Sequence, residues 1–183
     1  MFHRDVPLSG LDAKLRLLES RHAPELFALV DANRNHLRAW MPWVEATRAV
    51  EDTEAFLEAQ LAQFAAGEGV TAGVWVGDRI AGVMGTQRIN WLDRRAEIGY
   101  WVSAESEGRG LMTESARLLV GHLLGEMGLN RVEIRCAVEN ARSNRVPERL
   151  GFALEGVERE SHRVGNRFHD MNRWAMLQRN WKG

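Results

Sequence analysis

Apolar residues along the chain recur in two rhythms, one of period 2 and one near 3.6, and these mark out strands and helices. Leu15 and Leu17 alternate within 13–19 and predict a first strand, after an extended or loose lead-in over 1–12. Leu26, Leu29 and Val30 stand at i, i+3 and i+4, with Phe27 beside them, and predict a helix over 23–33. The stretch NRNHLRAWMPWVE, residues 33–45, starts helical and should stop before Pro42, since a residue preceding proline is pushed out of the helical region. Asp52 or Thr53 is expected to cap a helix that ends near Gly67, with Leu57, Leu61 and Phe64 on its inner stripe. Residues 70–76 and 80–89, joined at Gly77-Asp78, predict a hairpin.

The second half is more regular. Residues 96–102 form a strand candidate with Ile98, Tyr100 and Val102 on one face and Glu97, Gly99 and Trp101 on the other. A loop with Gly108 and Gly110 follows, then a helix from about Leu111 with Leu111, Ala116, Leu118, Leu119, Leu123 and Leu124 on its apolar side. Residues 131–138 alternate again, with Val132, Ile134, Cys136 and Val138 inward, so strand, helix and strand make a right-handed βαβ unit. Asn140 is placed to cap a short helix over 141–150 that ends at Gly151. Pro147 has no N–H for the carbonyl of Ser143, which predicts that this helix is short or irregular there. Residues 152–160 and 168–177 give two last strands around a Gly165-Asn166 turn. The order predicts one α+β domain over 1–183, a mixed sheet with helices on both faces.

Composition narrows the function classes. With 24 Lys plus Arg against 25 Asp plus Glu, the formal net charge is −1, and the bulk positive charge of a general nucleic-acid binder is missing. No apolar run approaches the roughly 20 residues of a membrane span, and the first ten residues lack the apolar centre of a signal peptide. The cytoplasm is the expected compartment. Cys136, the one cysteine, cannot form an internal disulfide and sits in an apolar strand, where an inert thiol is expected. No His, Cys and Asp spacing resembles a metal site.

Candidate chemistry centres on the loop from Gly108 to Thr113. A helix start leaves N–H groups unpaired and carries about half a positive charge, and two glycines let that backbone approach an anion such as a pyrophosphate. It is neither a P-loop, since Leu111 and Met112 follow Gly110, nor a dinucleotide fingerprint, since Thr113 stands where a third glycine belongs. Taken alone it is equally a plain strand-to-helix turn. Trp40 and Trp43 flank the break at Pro42 and suit either core packing or a substrate-pocket wall.

Taken together, the motifs resemble the GNAT superfamily of acyl-CoA-dependent N-acetyltransferases, in particular its RimJ/RimL-type branch, which acetylates protein N-termini. The superfamily's anion loop, Gln/Arg-x-x-Gly-x-Gly/Ala, aligns with Glu107, Gly108, Arg109, Gly110, Leu111 and Met112; Glu107 and Met112 depart from it, and Gly-x-Gly-x-Met-Thr resembles the RimL-type variant. Asn140-Ala-Arg-Ser143 and the later Leu-Gly151-Phe152-x-x-Glu155-Gly156 resemble the branch's second motif. Arg34, His36-Leu37, Trp40 and Pro42-Trp43 resemble its N-terminal segment, and Glu97-Ile98-Gly99-Tyr100-Trp101 its central strand, so the similarity runs from about Leu15 to Leu177.

The resemblance implies a mostly antiparallel sheet with a central splayed parallel pair, Ala96–Val102 and Arg131–Val138, and acetyl-CoA in the cleft between them. It implies backbone contacts from Tyr100, Trp101 and Val102 to the pantetheine and the thioester oxygen. The pyrophosphate falls to Gly108, Arg109, Gly110, Leu111, Met112 and Thr113, and amide groups of the cofactor to Asn140. Arg145 is the arginine expected to reach the nucleotide phosphates. Many members place a tyrosine seven residues after the asparagine as acid for the thiolate; Pro147 stands there, and the RimL-type likeness offers the Ser143 hydroxyl instead. Glu97 is the first candidate for the base, or else a strand glutamate paired with Arg94 or Arg95; Glu160, Asp170, His36, His162 and His169 compete. Trp40, Trp43 and Trp91 are expected near the acceptor amine, which belongs to a protein, a peptide or a small molecule. A homodimer is common in the branch that the sequence resembles.

Overall fold

The computed structural model describes residues 5–183; Met1–Arg4, the start of the expected lead-in, lie outside the described residues. The elements are β1 (Val6–Pro7), β2 (Ala13–Leu17), α1 (Ala23–Ala32), α2 (Arg34–Leu37), α3 (Val50–Ala65), β3 (Thr71–Val76), β4 (Arg79–Thr86), β5 (Arg95–Val102), α4 (Leu111–Gly121), β6 (Arg131–Ala137), α5 (Ala141–Arg149), β7 (Ala153–Val164) and β8 (Arg167–Leu177). The strands form one sheet in the order β1-β2-β3-β4-β5-β6-β8-β7. Every pairing is antiparallel except β5 with β6, the two strands that α4 connects.

Alternation along the strands sends alternate side chains to two cores. On one face Leu111, Ala116, Leu119 and Leu123, along and just after α4, pack on Leu15, Val74, Met84, Ile98, Val132 and Ile134. On the other, Leu26 of α1 and Leu57 of α3 meet Trp75, Ile80 and Val83. Full burial of each such side chain contributes about 1.5–3 kcal/mol, so the α4 face is where the fold is held. The helix that starts at Leu111 continues as a wider π turn over His122–Glu126, which keeps Leu123 and Leu124 fully buried.

Several local expectations need correction. Of the two alternatives for the lead-in, it is extended rather than loose where it is described: Val6 and Pro7 pair with Leu15 and Lys14. Neither Asp52 nor Thr53 caps α3. The cap is Ala49, and Asp52, three residues in, turns its carboxylate back to accept the N–H groups of Arg48 at 2.8 Å and Ala49 at 3.0 Å. Val138 does not point inward, because β6 ends at Ala137 and leaves Val138 exposed. The helix at Pro147 is by contrast short and irregular as expected: α5 runs through the proline to Arg149, nine residues in all, and its Ser143 carbonyl takes the Tyr100 hydroxyl in place of a backbone N–H.

Beyond β6 the sheet exposes a ladder of opposite charges. Arg131 pairs with Glu133 and Glu155, Arg135 with Glu97 and Glu158, and Arg173 with Glu158. No helix among the described residues is long and apolar enough to cross a membrane.

Candidate active site

The parallel pairing of β5 and β6 runs from Arg95 with Arg131 to Ile98 with Ile134 and stops there. Beyond it β5 stays bonded to β4 as far as Val102, and β6 stays bonded to β8 as far as Ala137. Glu97 O and the Ser103 N–H both bond towards β4. Antiparallel alternation therefore turns the N–H and C=O of Tyr100 and Val102 into the gap.

Two cavities meet at this gap. One, of about 770 Å3, is lined by the glycine loop, α5 and the end of β5, and the second, of about 600 Å3, lies between Trp43, Phe56, Glu97, Gly99 and His162. Both are lined by Trp40, Met41, Tyr100, Trp101, Asn140 and Ser143. The sheet thus has an opening through it, with Tyr100 and Ser143 at its rim.

The first cavity combines features that suit an anion. Gly108 and Gly110 have φ of +73° and +79°, a conformation that costs other residues energy, and a Cβ at either would meet nothing within 4 Å. Gly110 is the N-cap of α4, so the unpaired N–H groups of the first turn open onto the cavity beside Leu111, Met112 and Thr113. Arg109, Arg142, Arg145 and Arg149 also line it. Glu107 bridges its mouth: it pairs with Arg142 of α5 and lies 3.5 Å from His36 Nε2 of α2.

At the gap, Asn140 Oδ1 accepts the Ser143 N–H at 3.1 Å, the expected cap. Tyr100 Oη donates to the Ser143 carbonyl at 2.9 Å. Ser143 Oγ lies 3.1 Å from Cys136 Sγ and 3.4 Å from Tyr100 Oη. Burial pushes the Tyr100 hydroxyl well above its ordinary range, and Cys136 adds to the shift. Burial also raises the Cys136 thiol, which favours its neutral form. The α5 start is fixed by Asn144, whose Nδ2 donates to the carbonyls of Ala137 and Asn140 at 2.8 Å and whose Oδ1 accepts from Asn172 at 2.8 Å and Trp174 at 2.9 Å.

A family model described as an acetyltransferase (GNAT) domain matches residues 13–153. The chain belongs to the GNAT acetyltransferase family. It is an acetyl-CoA-dependent N-acetyltransferase with the mixed sheet of that fold. It is similar to a putative ribosomal N-acetyltransferase, YdaF, of Bacillus subtilis (strain 168), with 34% identity covering 92% of this chain and 93% of that protein. It is also similar to the ribosomal-protein-serine acetyltransferase of Escherichia coli (strain K12), with 27% identity covering 90% of this chain and 92% of that one. Among solved structures, RimL, a ribosomal L7/L12 α-N-protein acetyltransferase in complex with coenzyme A, superposes with a TM-score of 0.90 at 27% identity, covering 95% of this chain and 98% of that one.

In this acetyltransferase Glu97 lines the second cavity, and its partner is Arg135 of β6, with Nε 3.0 Å from Oε2, rather than Arg94 or Arg95. Arg94 instead donates to the Gly128 carbonyl, and Arg95 sits 3.5 Å from Asp93. Burial works against the charge of Arg135, but Glu97 and Glu158 outweigh it and keep the guanidinium protonated. Of the competing bases, His162 lines the second cavity and His36 the first. Glu160 and Asp170 line neither; the Asp170 carboxylate accepts the Glu160 N–H at 2.8 Å, at a bulge where Glu160 has φ of +50°. His169 is buried, 3.1 Å from Glu139.

Trp40 roofs both cavities, its carbonyl 3.1 Å from His162 Nε2 and its ring 5.8 Å from that of His169. Trp43 leans on Trp101 at 6.0 Å between ring centres. Trp91 stands apart, on the β4–β5 turn, lining neither cavity, with its N–H given to the Gly67 carbonyl at 2.9 Å. Four residues escaped the sequence reading: Arg135, Asn144, Arg142 as partner of Glu107, and the hydroxyl of Tyr100. Only the last had a signal, the donor that Pro147 lacks.

Proposed function

We propose that this acetyltransferase acetylates the α-amine at the N-terminus of a protein or peptide, with a ribosomal protein as the acceptor class named for its relatives. One observation carries it: an anion-binding cleft and an aromatic-walled cavity of about 600 Å3 share one opening, so a donor and an amine can approach it from opposite faces of the sheet. When bound, acetyl-CoA supplies a thioester whose acyl carbon takes the amine nitrogen as the carbon–sulfur bond breaks and the electron pair leaves with sulfur.

The chain's residues divide that work. The N–H groups from Gly108 to Thr113, with Arg109, hold the pyrophosphate, and Arg145 reaches the nucleotide phosphates. The edge groups of Tyr100 and Val102 pair with the pantetheine, and one N–H of Tyr100–Val102 takes the negative charge growing on the acyl oxygen. Asn140 orients the cofactor's amides. Glu97 accepts the proton the amine loses, directly or through water, and Ser143 Oγ–H donates a hydrogen bond to the departing sulfur. Trp40 and Trp43 wall the acceptor.

The second cavity offers a polyamine or aminoglycoside little negative charge. Glu97 is paired with Arg135, which leaves Asp52, held by two backbone N–H groups, as its one carboxylate without a cation partner among the described residues. The test is free-thiol release with acetyl-CoA over a panel of peptides with free N-termini, the same peptides blocked, and small amines. Turnover is expected with the free peptides and not with the blocked ones. Turnover with small amines alone would overturn the acceptor class.

A further inference from the structure

Proline at 147 removes the N–H that would have bonded to the Ser143 carbonyl one turn earlier. A carbonyl left so in the protein needs another donor. Tyr100 Oη provides it at 2.9 Å, from a strand 43 residues away. The Ser143 N–H is held by the Asn140 cap. Both backbone groups of Ser143 are therefore fixed by side chains, one from the cap of α5 and one from β5, and α5 runs on through the proline. Only the hydroxyl is left with soft partners, Cys136 Sγ at 3.1 Å and the Tyr100 oxygen at 3.4 Å.

A phenol has one proton to give. Spent on the Ser143 carbonyl, it cannot also go to a departing sulfur, and towards Ser143 Oγ the Tyr100 oxygen can only accept. Resting on the reading of Ser143 as the sulfur's hydrogen-bond donor, we propose that Tyr100 is a positioning residue of the transfer reaction: it stands in for the N–H that Pro147 lacks, holds Ser143 at the opening of the sheet, and is not itself the acid. The proline and the tyrosine form one device, and each accounts for the other.

The test is a cycle of variants in the full chain: Tyr100→Phe, Pro147→Ala and the pair together, each also made in a Ser143→Ala background. Tyr100→Phe keeps the ring and loses the hydroxyl, so kcat should fall by about tenfold, the scale of one buried carbonyl left unpaired, with acetyl-CoA affinity nearly unchanged. Pro147→Ala restores the N–H, so the double variant should regain most of the lost kcat. In the Ser143→Ala background Tyr100→Phe should lower kcat no further. A double variant as slow as Tyr100→Phe, a Tyr100→Phe enzyme at wild-type kcat, or a further drop without Ser143 overturns the assignment, the last by making Tyr100 act directly. Thermal melting reads the same cycle without turnover: Tyr100→Phe should melt lower, and less so when Pro147→Ala is also present. If wild type turns over no acceptor, the proposed activity fails and the catalytic half of this assignment with it. Melting then still decides the Tyr100–Ser143 bond, and additive losses would remove that too.

Discussion

Glu107 of the glycine loop and Arg142 of α5 are ion-paired across the mouth of the anion cleft, with His36 3.5 Å from the same carboxylate. The GNAT pattern has Gln or Arg where Glu107 stands, so this chain closes its cradle with a negative charge and a borrowed cation. A pyrophosphate held by this loop would meet an arginine already occupied. Glu107→Gln frees Arg142 and removes a repulsion of about 1 kcal/mol in a water-like medium, so acetyl-CoA should bind about fivefold tighter. Calorimetry at low and high salt checks it: the gain should shrink as salt rises, and weaker binding by the variant would give Glu107 a supporting role instead.

Ser143→Ala removes the hydroxyl at the rim of both cavities while leaving the backbone bonds to Asn140 and Tyr100 in place. A hydrogen bond to a charged group contributes about 1.5–3 kcal/mol, so kcat should drop by about 10- to 100-fold while the acetyl-CoA dissociation constant stays within about twofold. Steady-state kinetics with one peptide acceptor, paired with calorimetry, separates the two quantities. An unchanged kcat takes Ser143 out of the chemistry.

Gly99 shares a face of β5 with Glu97 and Trp101, lines the second cavity, and has only open space where a Cβ would stand. Gly99→Ala should therefore fold as well as wild type and raise the acceptor KM without affecting acetyl-CoA binding. Gly85 opposite it is a different case, since a Cβ there would lie 2.8 Å from the Val70 carbonyl. A Gly99→Ala enzyme with unaltered acceptor kinetics would move the amine's path away from β5.

His22 sets an acid limit on stability. It is buried, accepts the Glu19 N–H on Nδ1 at 2.9 Å, and meets Trp75 edge-on at 5.2 Å. Burial lowers its pKa, and Arg16 and Arg21 lower it further. The folded state then binds this proton less readily than the unfolded chain, whose histidine titrates near 6.5. Its contribution is intact above about pH 6.5 and is lost as pH falls from there towards the depressed folded value. Melting temperature should decline between pH 7.5 and 5.5, and decline less in His22→Asn, whose Oδ1 can still accept the Glu19 N–H. Parallel declines would assign the acid loss to other groups.

Much of this was readable from residue order, and the misses share a cause. The alternation of Ile98, Tyr100 and Val102 against Glu97, Gly99 and Trp101 predicts both faces of β5, because a pleated strand admits nothing else. The Asn140 cap and the Gly108–Gly110 turn are equally local. Asp52 was misassigned because a carboxylate at the cap and one three residues later satisfy the same N–H groups. Arg135 as the partner of Glu97, and Asn144 with Asn172 and Trp174, join residues 28 to 38 apart in the chain. Such pairs follow from the register of β5, β6 and β8, which local patterns do not encode.

The early end of the β5–β6 ladder has a kinetic meaning. Because the two cavities share lining residues at that slot, an acceptor in the second would not have to pass through the space of the first. A donor and an acceptor seated in the two cavities would meet where the strand pairing stops.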